Sequence, residues 1–243
     1  MKQSKSMRNV VSITMVLLLF SACSIELEKK TISEKLAAER KTEFKYLALG
    51  DSYTIGESVD RKKCYPNLLK DTLIKAGFLL DTVTIIAKTG WTTEDLKNGI
   101  FNREIEGNKY DLVTLLIGVN NQYQGLDIET YRKEFFSLLK QAISFANDDP
   151  KKVIVISIPD WGVTPFASDR DNKQIAFEID NYNAIKKEEA QKLNVSFVDI
   201  TAFSRKADKH PELVATDGLH PSGEMYLEWV NRIFPVAKQI LEK

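Results

Sequence analysis

The chain is predicted to fold as an α/β domain, a three-layer α/β/α sandwich around a five-stranded parallel sheet. Three observations predict it. Apolar and β-branched runs recur at Tyr46 to Leu49, Asp81 to Ala87, Asp111 to Ile117, Lys152 to Ile158 and Val195 to Ile200. Between them lie segments of helical periodicity, and several runs stop abruptly at glycine or proline. Continuous apolar runs suit strands covered on both faces, and strands alternating with helices imply a parallel sheet between helical layers. With 243 residues and 43% hydrophobic content, the chain can build one sizeable core.

The N-terminus is read apart from that domain. Lys2, Lys5 and Arg8 precede the apolar run Val10 to Phe20, and Ser21 and Ala22 lead to Cys23. A basic region, a short hydrophobic region and small residues before a cut predict a signal peptide over 1–22, too short for a comfortable membrane span. The cysteine that follows resembles a bacterial lipoprotein signal, although Phe20 stands where such signals usually have leucine. That resemblance implies an exported protein of the cell envelope, held at a membrane through lipidated Cys23; the alternative is a plain secretory signal with an incidental cysteine. Residues 23–43 are charged, lack glycine and proline, and read as a helical or disordered tether. The folded domain is expected over 44–243.

Within the domain, Tyr65 to Ala76 carries Leu68, Leu69, Leu73 and Ala76 at helical spacing, and Gly77 offers a stop. Thr92 or Thr93 can cap a helix running through Asn98. Glu129 to Phe145 places Tyr131, Phe135, Leu138, Leu139 and Ala142 on one stripe. The segment Asp160 to Asn172 reads as a long irregular loop and Glu178 to Leu193 as a helix. Tyr226 to Leu241 reads as a closing amphipathic helix, which Pro235 should kink or interrupt.

Formal charge is +0, which argues against a nucleic-acid partner. Two cysteines and two histidines make a zinc site improbable. Cys64 reads as a small buried residue at a helix start rather than a reactive thiol. Ligands of parallel sheets bind beyond the C-terminal strand ends. Gly50-Asp51-Ser52, Lys88-Thr89-Gly90 and Gly118-Val119-Asn120 would meet there on one edge. Ser52 is a candidate nucleophile, or Gly-Asp-Ser is an ordinary cap where a strand leads into a helix. Asp217 and His220, three residues apart on a tight turn, can pair carboxylate to imidazole Nδ1 and leave Nε2 facing outward. The bland alternative is a loop histidine beside a chance acid. His210, in a polar stretch, reads as an exposed loop residue.

Taken together, these blocks resemble the SGNH hydrolases, or GDSL-type esterases and lipases. Gly50-Asp51-Ser52 matches the first block, Gly90 the second, Gly118-Val119-Asn120 the third and Asp217-Gly218-Leu219-His220-Pro221 the last. Tyr53 replaces the leucine of the family name, and Asn121 stands where the family usually has aspartate. The resemblance implies a flavodoxin-like sandwich, with Ser52 as nucleophile, His220 as general base and Asp217 as its orienting acid. It also implies an oxyanion hole formed by the Ser52 and Gly90 N–H groups and the Asn120 amide, and no metal or cofactor. The larger serine-hydrolase elbow G-x-S-x-G is absent, because Thr54 fills its last position.

The expected activity is therefore hydrolysis of a carboxylic ester through an acyl-enzyme. The substrate would be a short acyl ester, an acetylated carbohydrate or a lipid. The alternatives are a non-catalytic surface binding protein on the same scaffold, against which the joint presence of Ser, Asp, His, Gly and Asn weighs, and an acyltransferase, which would share every residue named. Tyr53, Trp91, Trp161 and Phe166 are candidates to line a substrate pocket, and the Asp160 to Asn172 loop is the candidate specificity loop.

Overall fold

The run that opens the domain forms β1 (Glu43–Gly50) in a computed structural model that describes residues 43–242 apart from 104 and 106. The predicted signal peptide, Cys23 and the tether up to residue 42 lie outside the described residues. The remaining strands are β2 (Leu79–Ala87), β3 (Leu112–Leu116), β4 (Val153–Ile156) and β5 (Ser196–Val198). All pair in parallel in the order β2-β1-β3-β4-β5. That is the flavodoxin-like order, whose ligand crevice lies where the order reverses, beside β1 and β3. Every residue of β3 and β4 is buried, as their continuous apolar runs require.

The helices sort to two faces. α1 (Ser52–Ile55) is a single turn. α2 (Tyr65–Lys75) packs against the closing helix α8 (Gly223–Leu241) on one face. On the other face, α3 (Thr93–Phe101), α5 (Ile128–Phe145) and α6 (Asn172–Lys192) pack in sequence. The single turns α4 (Val119–Tyr123) and α7 (Thr201–Ser204) follow β3 and β5. Leu69, Leu73, Trp229, Val230 and Ile233 are buried between α2, α8 and the sheet. Each such aliphatic side chain contributes about 1.5–3 kcal/mol relative to exposure.

Several boundaries differ from the sequence reading, β2, α3 and β4 by two or three residues, and three elements differ for identifiable reasons. α6 begins at Asn172, within the stretch expected to be loop, because the Asp171 carboxylate accepts from Lys173 N and Gln174 N and caps it there. What remains irregular, from Asp160 to Arg170, is organised by two 3₁₀ turns, Trp161–Val163 and Pro165–Ala167. α8 runs through Pro235 without interruption and starts early, at the Ser222 cap. Val230 and Ile233 before the proline and Ala237 and Leu241 after it are all buried on one stripe, so packing holds both halves in line. β5 is shorter than predicted, since the Asp199 carboxylate and the Ser157 hydroxyl take the Thr201 and Ile200 N–H groups and turn the chain out of the sheet.

Cys64 sits at the N-cap of α2, fully buried, with Sγ donating to Arg61 O at 3.0 Å. Burial pushes its thiol pKa up, consistent with a packed rather than reactive residue. His210 is exposed and pairs with Glu212 at 2.9 Å.

Candidate active site

Gly50 ends β1 opposite Ala87 of β2 and Leu116 of β3, so two of the predicted strand ends are its immediate neighbours. A Cβ at Gly50 would lie 2.3 Å from Leu116 O and 2.1 Å from Thr54 Oγ1, so only glycine fits this close approach. Asp51 then caps α1 through Tyr53 N at 3.0 Å, and Gly56 ends that turn in the left-handed region at φ 76°. The ordinary-cap reading is thus correct for Asp51. Ser52, the next residue, is 5% exposed and lines a cavity of about 170 Å³.

The cavity also receives Gly90, Asn120 and His220. Gly90 has φ +82°, and an added Cβ would meet no atom within 4 Å. The backbone conformation, rather than crowding, calls for glycine here. Gly118 has φ +125° and its missing side chain makes room for Tyr131, whose Oη would lie 2.7 Å from a Cβ. That turn delivers Asn120, whose Nδ2 donates to Trp91 O at 2.9 Å. One amide proton is anchored by this bond, and the amide nitrogen carries a second.

Asn121, the departure from the family pattern, is 1% exposed and locks two elements together. Its Oδ1 accepts from Thr93 N at 3.0 Å and its Nδ2 donates to Thr93 Oγ1 at 2.7 Å. The Thr93 hydroxyl in turn donates to Glu134 Oε2. An amide therefore serves this position because the threonine hydroxyl has its proton committed elsewhere and needs a donor.

Asp217 and His220 occupy a turn closed by Gly218 at φ +73° and by Ala215 N donating to His220 O at 2.7 Å. His220 Nδ1 lies 2.6 Å from Asp217 Oδ2, and Oδ1 accepts from the N–H groups of Leu219 and His220. Burial works to raise the Asp217 carboxyl, but the Ser58 hydroxyl, at 2.6 Å, His220 and the two backbone donors hold it well below the usual carboxylate range. Tyr53 supports the imidazole edge-on, at a ring separation of 5.5 Å. Among the described residues no hydrogen bond joins Ser52 to His220; such contacts commonly tighten only when substrate is bound.

The apolar wall of the cavity is Val119, Tyr123, Trp161, Phe166 and Leu219. Tyr123, Trp161 and Phe166 form one aromatic cluster with centroids 5.4–6.2 Å apart. Trp91, predicted as a pocket residue, instead packs its ring over Gly99, where a Cβ would clash at 2.1 Å, and serves the site through its carbonyl. Tyr123 and Ser58 escaped the sequence reading. Tyr123 lies three residues beyond Asn120, one helical turn, and that spacing was the available signal; nothing local marked Ser58. A larger hollow of about 310 Å³ beside the N-terminal half of β1 holds no serine or histidine. Among the described residues no group of three or more His, Cys, Asp or Glu could hold a metal ion, and no helix is long and apolar enough to cross a membrane.

By comparison with known proteins, this chain is a hydrolase of carboxylic esters, on the flavodoxin-like scaffold described above. The chain belongs to the GDSL-like lipase/acylhydrolase family, whose model matches residues 48–227. That span contains every predicted site residue of the domain. The chain is 28% identical over 196 residues to an arylesterase of Vibrio mimicus, covering 78% of this chain and 86% of that protein. Among solved structures it is similar to a family 3 carbohydrate esterase of Clostridium thermocellum, at 22% identity and TM-score 0.64, over 83% of this chain and 98% of that one. It is also similar to a psychrotrophic esterase of Pseudoalteromonas sp. in a form inhibited by monoethylphosphonate, at 13% identity and TM-score 0.64, over 83% and 100%.

Proposed function

We propose that this protein is a serine esterase that cleaves a short-acyl carboxylic ester through an acyl-enzyme intermediate. The observation that carries the reading is His220, bonded to Asp217 at 2.6 Å, lining one cavity with Ser52, Gly90 and Asn120. Ser52 Oγ attacks the ester carbonyl carbon as His220 Nε2 takes its proton. Asp217 holds the imidazole in the tautomer with Nδ1–H and steadies the imidazolium. The Ser52 and Gly90 N–H groups and the second amide proton of Asn120 receive the oxyanion. Collapse expels the alcohol, which leaves with the proton from His220. Water then repeats the sequence on the acyl-enzyme and releases the acid.

The cavity, about 170 Å³ with a mainly apolar wall, supports a short acyl group, being smaller than the roughly 300–1,000 Å³ of sites for drug-sized ligands. Tyr123 and Phe166, 47% and 44% exposed, give the alcohol portion an aromatic platform at the cavity's edge. An aryl group or a sugar ring would stack there, and the names of the arylesterase and carbohydrate-esterase relatives fit either.

A fluorophosphonate probe tests the chemistry: covalent labelling at Ser52, abolished in Ser52→Ala, is expected, and an inert wild-type protein would leave a binding protein in its place. A p-nitrophenyl ester panel should show rates falling as the acyl chain lengthens, and ester transfer to an added alcohol in preference to water would mark a transferase. Export and anchoring through Cys23 belong to the same proposal on the strength of the N-terminal sequence. Membrane association that persists in Cys23→Ser would overturn that part alone.

A further inference from the structure

Two ionisable groups of opposite type, Asp51 beside Ser52 and Lys186 on α6, are fully buried, and the proposed chemistry uses neither. Asp51, between β1 and Ser52, is 0% exposed; its Oδ1 caps α1, and its Oδ2 has no hydrogen-bond partner. Lys186, on α6, is also 0% exposed. Its Nζ donates to Ile117 O at 3.1 Å and stands 5.6 Å from the Phe135 ring centroid. Ile117 is the last residue before the Gly118 turn that delivers Asn120. Burying an ammonium is costly unless it is compensated, and a methionine would fill the same volume without that cost. Packing therefore does not account for this lysine.

We propose that Lys186 is a positioning residue for the ester-cleaving site. Its ammonium holds the carbonyl of Ile117, one residue beyond β3, and offsets the buried Asp51 carboxylate through space without an ion-pair contact, so the strand end that carries Ser52 and the one that carries Asn120 answer to a single charge. The proposal rests on the roles given above to Ser52 and Asn120. The electrostatics agree: burial pushes the Asp51 carboxyl up and the Lys186 ammonium down, and each is pulled back by the other's charge. Without the lysine, the unpartnered Oδ2 would face an apolar interior alone, and the cap of α1 would shift to find water or a proton. Ser52 would move with it.

The test compares Lys186→Met, Asp51→Asn and the double variant with wild type, reading kcat and KM on p-nitrophenyl acetate and the rate of fluorophosphonate labelling. Lys186→Met is expected to lower kcat about tenfold or more with KM changed less than about twofold, because placement of the reacting groups and not substrate binding is lost. The double variant, which buries no lone charge, is expected to regain at least about threefold over Lys186→Met. Lys186→Met with wild-type kcat, even if less heat-stable, would overturn the proposal, as would a double variant no faster than the singles. Should Lys186→Met not fold, the double variant against Asp51→Asn decides: a gain of about threefold supports the pair, and no gain refutes it. If wild type itself fails to label, it is the esterase reading that falls.

Discussion

Replacing Asp217 by asparagine puts the proposed chemistry under the sharpest strain. Oδ2 accepts from two donors, His220 Nδ1 and Ser58 Oγ, each at 2.6 Å, and Oδ1 accepts from the Leu219 and His220 N–H groups. The backbone donors cannot turn away, so the amide nitrogen of the introduced asparagine must take the Oδ2 place. There it donates. The Ser58 hydroxyl can rotate to accept, but the imidazole can accept only by moving its proton from Nδ1 to Nε2. Nε2, now protonated, cannot take the proton of Ser52. The turn stays intact while the base carries its proton on the wrong nitrogen, and kcat on p-nitrophenyl acetate is expected to fall about 10³- to 10⁴-fold at neutral pH. That corresponds to about 4–5.5 kcal/mol of barrier. Circular dichroism and thermal melting should show a folded domain. A folded Asp217→Asn retaining more than about a tenth of wild-type kcat would refute the assignment of Asp217 as the orienting acid.

Asn120→Ala removes one proposed oxyanion donor and is expected to lower kcat about 10²- to 10³-fold with KM little changed; an unchanged kcat in steady-state kinetics would exclude that role. Asn121→Asp, which restores the family's usual residue, sets a carboxylate oxygen against the Thr93 hydroxyl oxygen, whose proton goes to Glu134. Chemical denaturation should show a loss of about 1–3 kcal/mol, relieved when Glu134→Gln is added; equal stability of Asn121→Asp and wild type would contradict this account. Because the native Asp217 carboxyl is held below its unfolded value, its contribution to stability is complete above about pH 4 and is lost as pH falls further. Melting curves of wild type and Asp217→Asn should therefore converge in strong acid and part above it.

The strands were legible because β3, β4 and the second half of β1, from Tyr46, are buried on both faces and leave largely apolar runs. The contact between Asp217 and His220 was legible because it is local, three residues apart on one turn. Contacts between distant segments were not. Ser58 reaches Asp217 across 159 positions, and an exposed serine gives no local sign of such a bond. Lys186 sits beside Lys187 and Glu188 in a charged helix and reads as solvent-facing, whereas the fold turns it to the interior. The early start of α6 was hidden because Asn172 to Gln174 show no apolar stripe; Asp171 initiates that helix by capping alone. Pro235 shows the reverse case, in which burial on both sides overrode a local breaker.

The acid and base ride on one short loop, and the Phe166 N–H holds that loop by its Gly218 carbonyl at 2.9 Å. The segment proposed to shape the mouth of the cavity is thus mechanically geared to the proposed proton-transfer pair, Asp217 and His220. A change there that adapts the enzyme to a bulkier alcohol will tug on the imidazole as well, so new specificities on this scaffold should come with altered turnover unless a compensating change relaxes the link.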